Sequence, residues 1–212
     1  DRQPEFTQLD AEMSFIEPED IQSVIEGAFA EVFRQAVGVE LQLPLPRMTW
    51  KEAMETYGSD KPDTRFGMKL VDVGGAAQGC GFAPFEAALE AGGCVRGINA
   101  QGLADKLTRK DLDKLADFAK TFRAKALFWL LIGPDGGVRC SFSKFLTPEL
   151  QSALIGRFNA QPGDALLLVA EKRSVALQAL GELRKEVARR HDLIAPGQYH
   201  LFWVTEFPLL EY

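Results

Sequence analysis

Cysteine is scarce in this 212-residue chain, with three residues at Cys80, Cys94 and Cys140. An odd count with no C-x-x-C spacing argues against a disulfide frame or a zinc site and fits a reducing compartment. Histidine is scarcer still. His191 and His200 alone are too few for a histidine-rich metal site and a poor start for a Ser-His-Asp triad. No apolar run approaches the roughly 18 residues that would span a bilayer. Nothing reads as a basic segment followed by the apolar stretch of a secretory leader. Glycine is plentiful but is not arranged to hold phosphate: neither G-x-G-x-x-G between a strand and a helix nor G-x-x-x-x-G-K-[ST] occurs.

What is present is ordinary for a soluble globular chain, with 46% apolar and 25% charged residues. The length allows one large domain or two small ones. The net charge of −6 is unevenly spread. Residues 1–35 carry two basic and nine acidic side chains; residues 105–125 carry seven basic and four acidic, and residues 171–192 six and four. Local charge, not the total, sets attraction to phosphate. The first run offers Lys106, Arg109, Lys110, Lys114, Arg123 and Lys125. The second offers Lys172, Arg173, Arg184, Lys185, Arg189 and Arg190. Each run also reads as a solvated helix face.

The opening stretch DRQPEFTQLDAEMSF alternates as a strand does from Glu5. Thr7, Leu9, Ala11, Met13 and Phe15 point one way, and Gln8, Asp10, Glu12 and Ser14 the other. The second face is either a solvated outer face or the polar floor of a ligand site. Pro18 then opens a helix with Ile21, Val24, Ile25, Phe29, Val32 and Phe33 as an apolar stripe, capped near Gly38. This stripe is expected to face a core. Thr49 and Glu52 form a capping box for a short helix over residues 50–57, ended by Gly58. The loop SDKPDTRFG reads as a turn, with Lys61 and Arg65 beside carboxylates. From Val71 the texture becomes glycine-rich, then alternates. Strands are expected near residues 94–98, 126–132, 138–143 and 165–170. Helices are expected over 108–122, 148–158 and 174–190, with Thr108, Thr147 and Ser174 as caps. The stretch 200–207 returns to strand. The chain opens and closes on strands, so both ends are expected to be cut from something larger. The first and last strands are expected to lie side by side in one sheet.

Three segments share one resemblance. DRQPEFTQLDAEMSF, YGSDKPDTRFG at Tyr57–Gly67 and FWVTEFPLLEY at Phe202–Tyr212 resemble, in this order, segments of bacterial-type aspartyl-tRNA synthetases. The first resembles the second signature segment of that family. The stretch between the last two resembles the insertion domain of the bacterial branch, known as the GAD domain.

The resemblance implies an α+β protein: part of a class II catalytic domain built on an antiparallel sheet, interrupted by a compact α+β insertion. The implied boundaries are 1–71 for a catalytic part with the second-motif strand, helix and loop, 72–198 for the GAD-like insertion, and 199–212 for a returning catalytic strand. It implies a class II aminoacyl-tRNA ligase that activates L-aspartate with ATP and transfers it to tRNA(Asp), with tRNA(Asn) left open as a second acceptor. Gln3 corresponds to a residue associated with ATP. Gln8 and Asp10 correspond to the aspartate pocket: a carboxylate suits an α-ammonium, and an amide both donates and accepts. Catalytic groups and the Mg2+ ligands would lie outside this chain, which alone is expected to be inactive. A cytoplasmic homodimer with no membrane contact is implied for the full-length enzyme. Two other readings remain. One is the tRNA-binding insertion-type module of a tRNA-dependent amidotransferase; the other is a structural fragment with no ligand of its own.

Overall fold

A computed structural model describes residues 3–210; Arg2 and the outer ends of the first and last resembling segments lie outside them. The chain packs as two compact units. One runs up to Arg47 and includes Leu201–Trp203; the other comprises Met48–His200 and the residues from Val204 onward.

In the first unit, helix α1 (Pro18–Val32) starts where proline and an acidic first turn favour it, and Asp20 Oδ2 accepts the Glu17 amide at 2.9 Å. The helix widens into a π turn over Phe33–Val37 and stops at Gly38, whose φ of 74° suits a residue without a Cβ. Two expectations fail here. Residues 5–15 form no strand: the segment is irregular, Leu9 is 94% exposed, and Met13 and Phe15 are exposed as well. Alternation gives a strand only when a neighbour takes its hydrogen bonds, and the described residues place none beside it. The apolar stripe of α1 does not face a core either. Val24, Phe29 and Val32 are about half exposed, and Glu26 is the residue the helix buries. A unit this small has too little chain to cover an apolar stripe.

Glu26 is instead the anchor of that unit. Its Oε1 accepts the Trp203 indole N–H at 2.8 Å and lies 3.2 Å from the Arg47 guanidinium, which also donates to Gln22. Strands β1 (Arg47–Thr49) and β7 (Trp203–Thr205) pair as a two-stranded sheet. The Pro46 carbonyl accepts from the Trp203 amide at 2.9 Å. The partner of the returning strand is thus Arg47–Thr49 and not residues 5–15.

The second unit opens with α2 (Trp50–Tyr57), capped by Thr49 Oγ1 on the Glu52 amide and closed by Gly58. Its centre is a five-stranded, wholly antiparallel sheet. Strands β2 (Val71–Asp72), β3 (Cys94–Ala100), β4 (Phe128–Ile132), β5 (Val138–Cys140) and β6 (Ala165–Glu171) lie in the order β2-β3-β6-β4-β5. Because β6 is central, both its faces are covered, and successive residues alternate between two cores. Ala165, Leu167 and Val169 join one; Leu166 and Leu168 join the other. Helices α5 (Arg109–Thr121) and α7 (Arg173–Arg190) fill the first face with Leu112, Leu115, Leu180 and Leu183. Helices α3 (Gly74–Ala77), α4 (Ala83–Glu90) and α6 (Pro148–Phe158) cover the second, around Phe85, Leu154 and Phe158. Ser174 does not cap α7; it lies inside a helix that begins one residue earlier.

Candidate functional site

Gln3, Gln8 and Asp10 all lie on the exposed, irregular segment that precedes α1. Gln8 Nε2 donates to Asp10 Oδ1 at 3.5 Å, so an amide and a carboxylate stand side by side in solvent. That pair offers acceptors to an ammonium and an N–H to a carboxylate.

The loop after α2 is more fully determined. Arg65 forks onto Asp63 with contacts of 2.9 and 2.7 Å and donates to the Gln198 carbonyl at 3.2 Å. The hydrogen bond from Arg65 holds the Asp63 carboxyl below its ordinary range. Thr64 Oγ1 meets His200 Nδ1 at 3.3 Å. Arg65 is therefore engaged within the fold, whereas Lys61 stays exposed.

The same loop is clamped from beneath by Arg184. This residue is 1% exposed, with its guanidinium 4.3 Å from the Phe66 ring centroid and 4.9 Å from that of Tyr57. It donates to the carbonyls of Met68 and Gly67. Burial pushes its pKa down to about 10, yet it stays a cation at neutral pH. Arg184 is thus removed from the phosphate-binding candidates. A signal for this exists in the sequence: residues 177, 180, 184 and 187 follow helical spacing, so Arg184 falls on the inward stripe.

The other basic side chains of α7 are also engaged. Lys185 pairs with Glu182, Arg189 and Arg190 pair with Glu186, and Arg173 pairs with Glu55. In the first run Arg109 pairs with Asp113, and Lys125 Nζ lies 3.9 Å from Glu171. Lys106, Lys110, Lys114 and Arg123 form no ion pair among the described residues. Of the candidates in the two runs, Lys106, Lys110, Lys114, Arg123 and Lys172 are thus left without an ion pair among the described residues.

No group of three or more His, Cys, Asp or Glu side chains is placed to hold a metal ion among the described residues; the residues present do not fit a magnesium site. No helix among them is long and apolar enough to cross a membrane.

A buried antiparallel sheet with helices on both faces, an acidic amide–carboxylate strip and a clamped arginine-bearing loop are the parts to be matched. The family model of class II tRNA synthetases (D, K and N) matches residues 1–211, and the chain belongs to this family. Among curated relatives it is 52% identical over its whole length to an aspartate–tRNA(Asp/Asn) ligase of Symbiobacterium thermophilum, and 51% to one of Lachnoclostridium phytofermentans. It is 50% identical to an aspartate–tRNA ligase of Clostridium beijerinckii. The match takes in 100% of this chain but only 35–36% of each relative's length.

Proposed function

We propose that this chain is part of an aspartyl-tRNA synthetase, which activates L-aspartate with ATP and transfers it to tRNA(Asp). The observation that carries this reading is identity of about half of all positions, end to end, with ligases whose names specify aspartate and its tRNA. Two of those names include tRNA(Asn), so a second acceptor tRNA is part of the proposal. The active protein is a cytoplasmic homodimer with Mg2+ bound by residues outside this chain; the family resemblance supports these points.

In this reading residues 1–71 and 199–212 belong to the catalytic domain, and residues 72–198 form the GAD-like insertion. The continuous five-stranded body from Val71 to Arg190, with a core on each face, supports an insertion with its own stability. Asp10 receives the α-ammonium of aspartate, Gln8 hydrogen-bonds the same substrate, and Gln3 lies against ATP. Holding the ammonium fixes the α-carboxylate for in-line attack on the α-phosphate, which is where positioning lowers the barrier.

Aspartate-dependent ATP–pyrophosphate exchange in the intact protein tests this reading. Asp10→Ala leaves an ammonium without its acceptor and should cost about 1–3 kcal/mol of aspartate binding, read as a KM raised about fivefold to 150-fold. An Asp10→Ala protein with unchanged KM and kcat would take Asp10 out of the pocket. The 212-residue chain alone should show no exchange.

A further inference from the structure

The face of the sheet beneath α5 carries an arrangement that no single stretch of sequence displays. The β4–β5 register sets Leu131 opposite Arg139, which places Trp129, Leu131 and Arg139 on one face. The same face receives the first turn of α5, where the Arg109 guanidinium lies 5.8 Å from the Trp129 ring centroid. These groups, with Ala104, Asp105 and Thr108, line a cavity of about 230 Å3. Trp129 packs one side against the core and is half-buried; Arg109 and Arg139 are exposed. Strand β5 is the sheet edge, so the cavity has no further strand beside it.

We infer that Trp129, Arg109 and Arg139 form a binding site for one unpaired nucleotide of RNA. The inference rests on the tRNA-handling function proposed above. Aromatic rings supply stacking that tolerates any base, and guanidinium groups supply both a second stacking plane and phosphate contacts. A base held between the Trp129 indole and the Arg109 guanidinium needs about 3.5 Å on each side, roughly 7 Å in all. The observed 5.8 Å from Cζ to the ring centroid is short of that by at least about 1 Å. Arg109 can supply the difference, because it is 75% exposed and restrained by one exposed pair with Asp113. Arg139 stands across the cavity for the phosphate. The end of α5 does not compete for it: Asp111 already occupies that end, accepting from the Thr108 amide and hydroxyl. Asp105 at the rim can accept from a base amino group, which distinguishes a nucleotide from bare phosphate. Lys106, Lys110 and Lys114, which form no ion pair among the described residues, are exposed on the same stretch of chain, with Asp111 and Asp113 among them. A duplex is not the ligand, since its base faces are covered by stacking.

The test uses the 212-residue chain, fluorescently labelled short single-stranded oligoadenylate, and inorganic polyphosphate as a base-free polyanion. Binding is followed by anisotropy across a salt titration. Oligoadenylate should bind, and Trp129→Leu should weaken it about tenfold or more, while Trp129→Phe retains most of the affinity. Polyphosphate binding should not change with Trp129. Arg139→Ala, at an exposed edge position that leaves the core alone, should weaken oligoadenylate and lower its salt slope by about 0.7. Absence of oligoadenylate binding overturns the inference, as does wild-type affinity in both Trp129→Leu and Arg139→Ala. The pyrophosphate-exchange assay on the intact protein separates the two claims. No exchange together with Trp129-dependent RNA binding defeats the synthetase reading and leaves the nucleotide site. Exchange together with Trp129-independent binding defeats only the site.

Discussion

Arg184 and Glu186 sit two residues apart on α7 and are ionised for different reasons. Arg184 is buried between two aromatic rings and keeps its charge because two backbone carbonyls and the ring faces replace water. Glu186 is held by Arg189 and Arg190, with contacts of 2.8 and 2.7 Å, which bring its pKa from the ordinary 4.5 down to about 2. A depressed carboxylate stabilises the fold above its unfolded pKa, and that stability is lost as pH falls through the folded value. The contribution of Glu186 is therefore complete above about pH 4.5 and gone near pH 2. Denaturant midpoints of wild type and Glu186→Gln should differ at pH 6 and converge as the pH falls across that interval. High salt should shrink the difference, because Arg189 is mostly exposed. A gap that persists to pH 2 would mean that Glu186 acts by packing and not by charge.

Between elements, α2 and α7 meet where neither has a side chain. A Cβ on Gly181 would lie 2.5 Å from the Gly58 carbonyl oxygen, and one on Gly58 would lie 2.1 Å from the Leu177 carbonyl oxygen. Backbone cannot move aside as a flexible side chain can, so Gly181→Ala should destabilise the protein by about 1–2 kcal/mol despite the better helix propensity of alanine. Gly156→Ala is the matched control. It is also helical, its Cβ meets nothing within 4 Å, and it should stabilise by about 0.5–1 kcal/mol. Thermal midpoints moving the same way in both variants would show that propensity, not contact, governs the α2–α7 seam. Elements with strong local signals were legible: α2 begins and ends where Thr49 and Gly58 put it, and α6 starts after its cap Thr147. Helices α3 and α4 were not, because Gly-Gly-Ala-Ala and the short run at 83–90 carry no cap or long period. Residues 5–15 show the opposite failure, a clear two-residue period without the neighbour a strand requires.

For the whole molecule, the two units differ in how much core they hold. The second has apolar clusters on both faces of its sheet, whereas the first exposes most of the apolar face of α1. Proteolysis follows local opening, and segments with few buried contacts open first. Limited trypsin digestion should cut early at Arg34, which is half exposed and lies in the π turn. The stretch from β3 to α7 should survive in one piece. First cuts between residues 94 and 190 would contradict this ranking of stability.

Local chemistry along the sequence determined what local chemistry can: the caps, most of the strand and helix order from residue 94 to 190, and the family, because identity of segments does not depend on packing. Tertiary structure decided which charges are free, although helical spacing already sets Arg184 apart. Arg184 and Lys114 each belong to a basic run, yet one is sealed beneath Phe66 and the other stands on an open helix face. Likewise Trp129, Arg109 and Arg139 lie on three separate elements and meet through strand register and helix packing. A charge or a ring acquires its role from the dielectric and the neighbours around it, and those are set by residues far away in the chain.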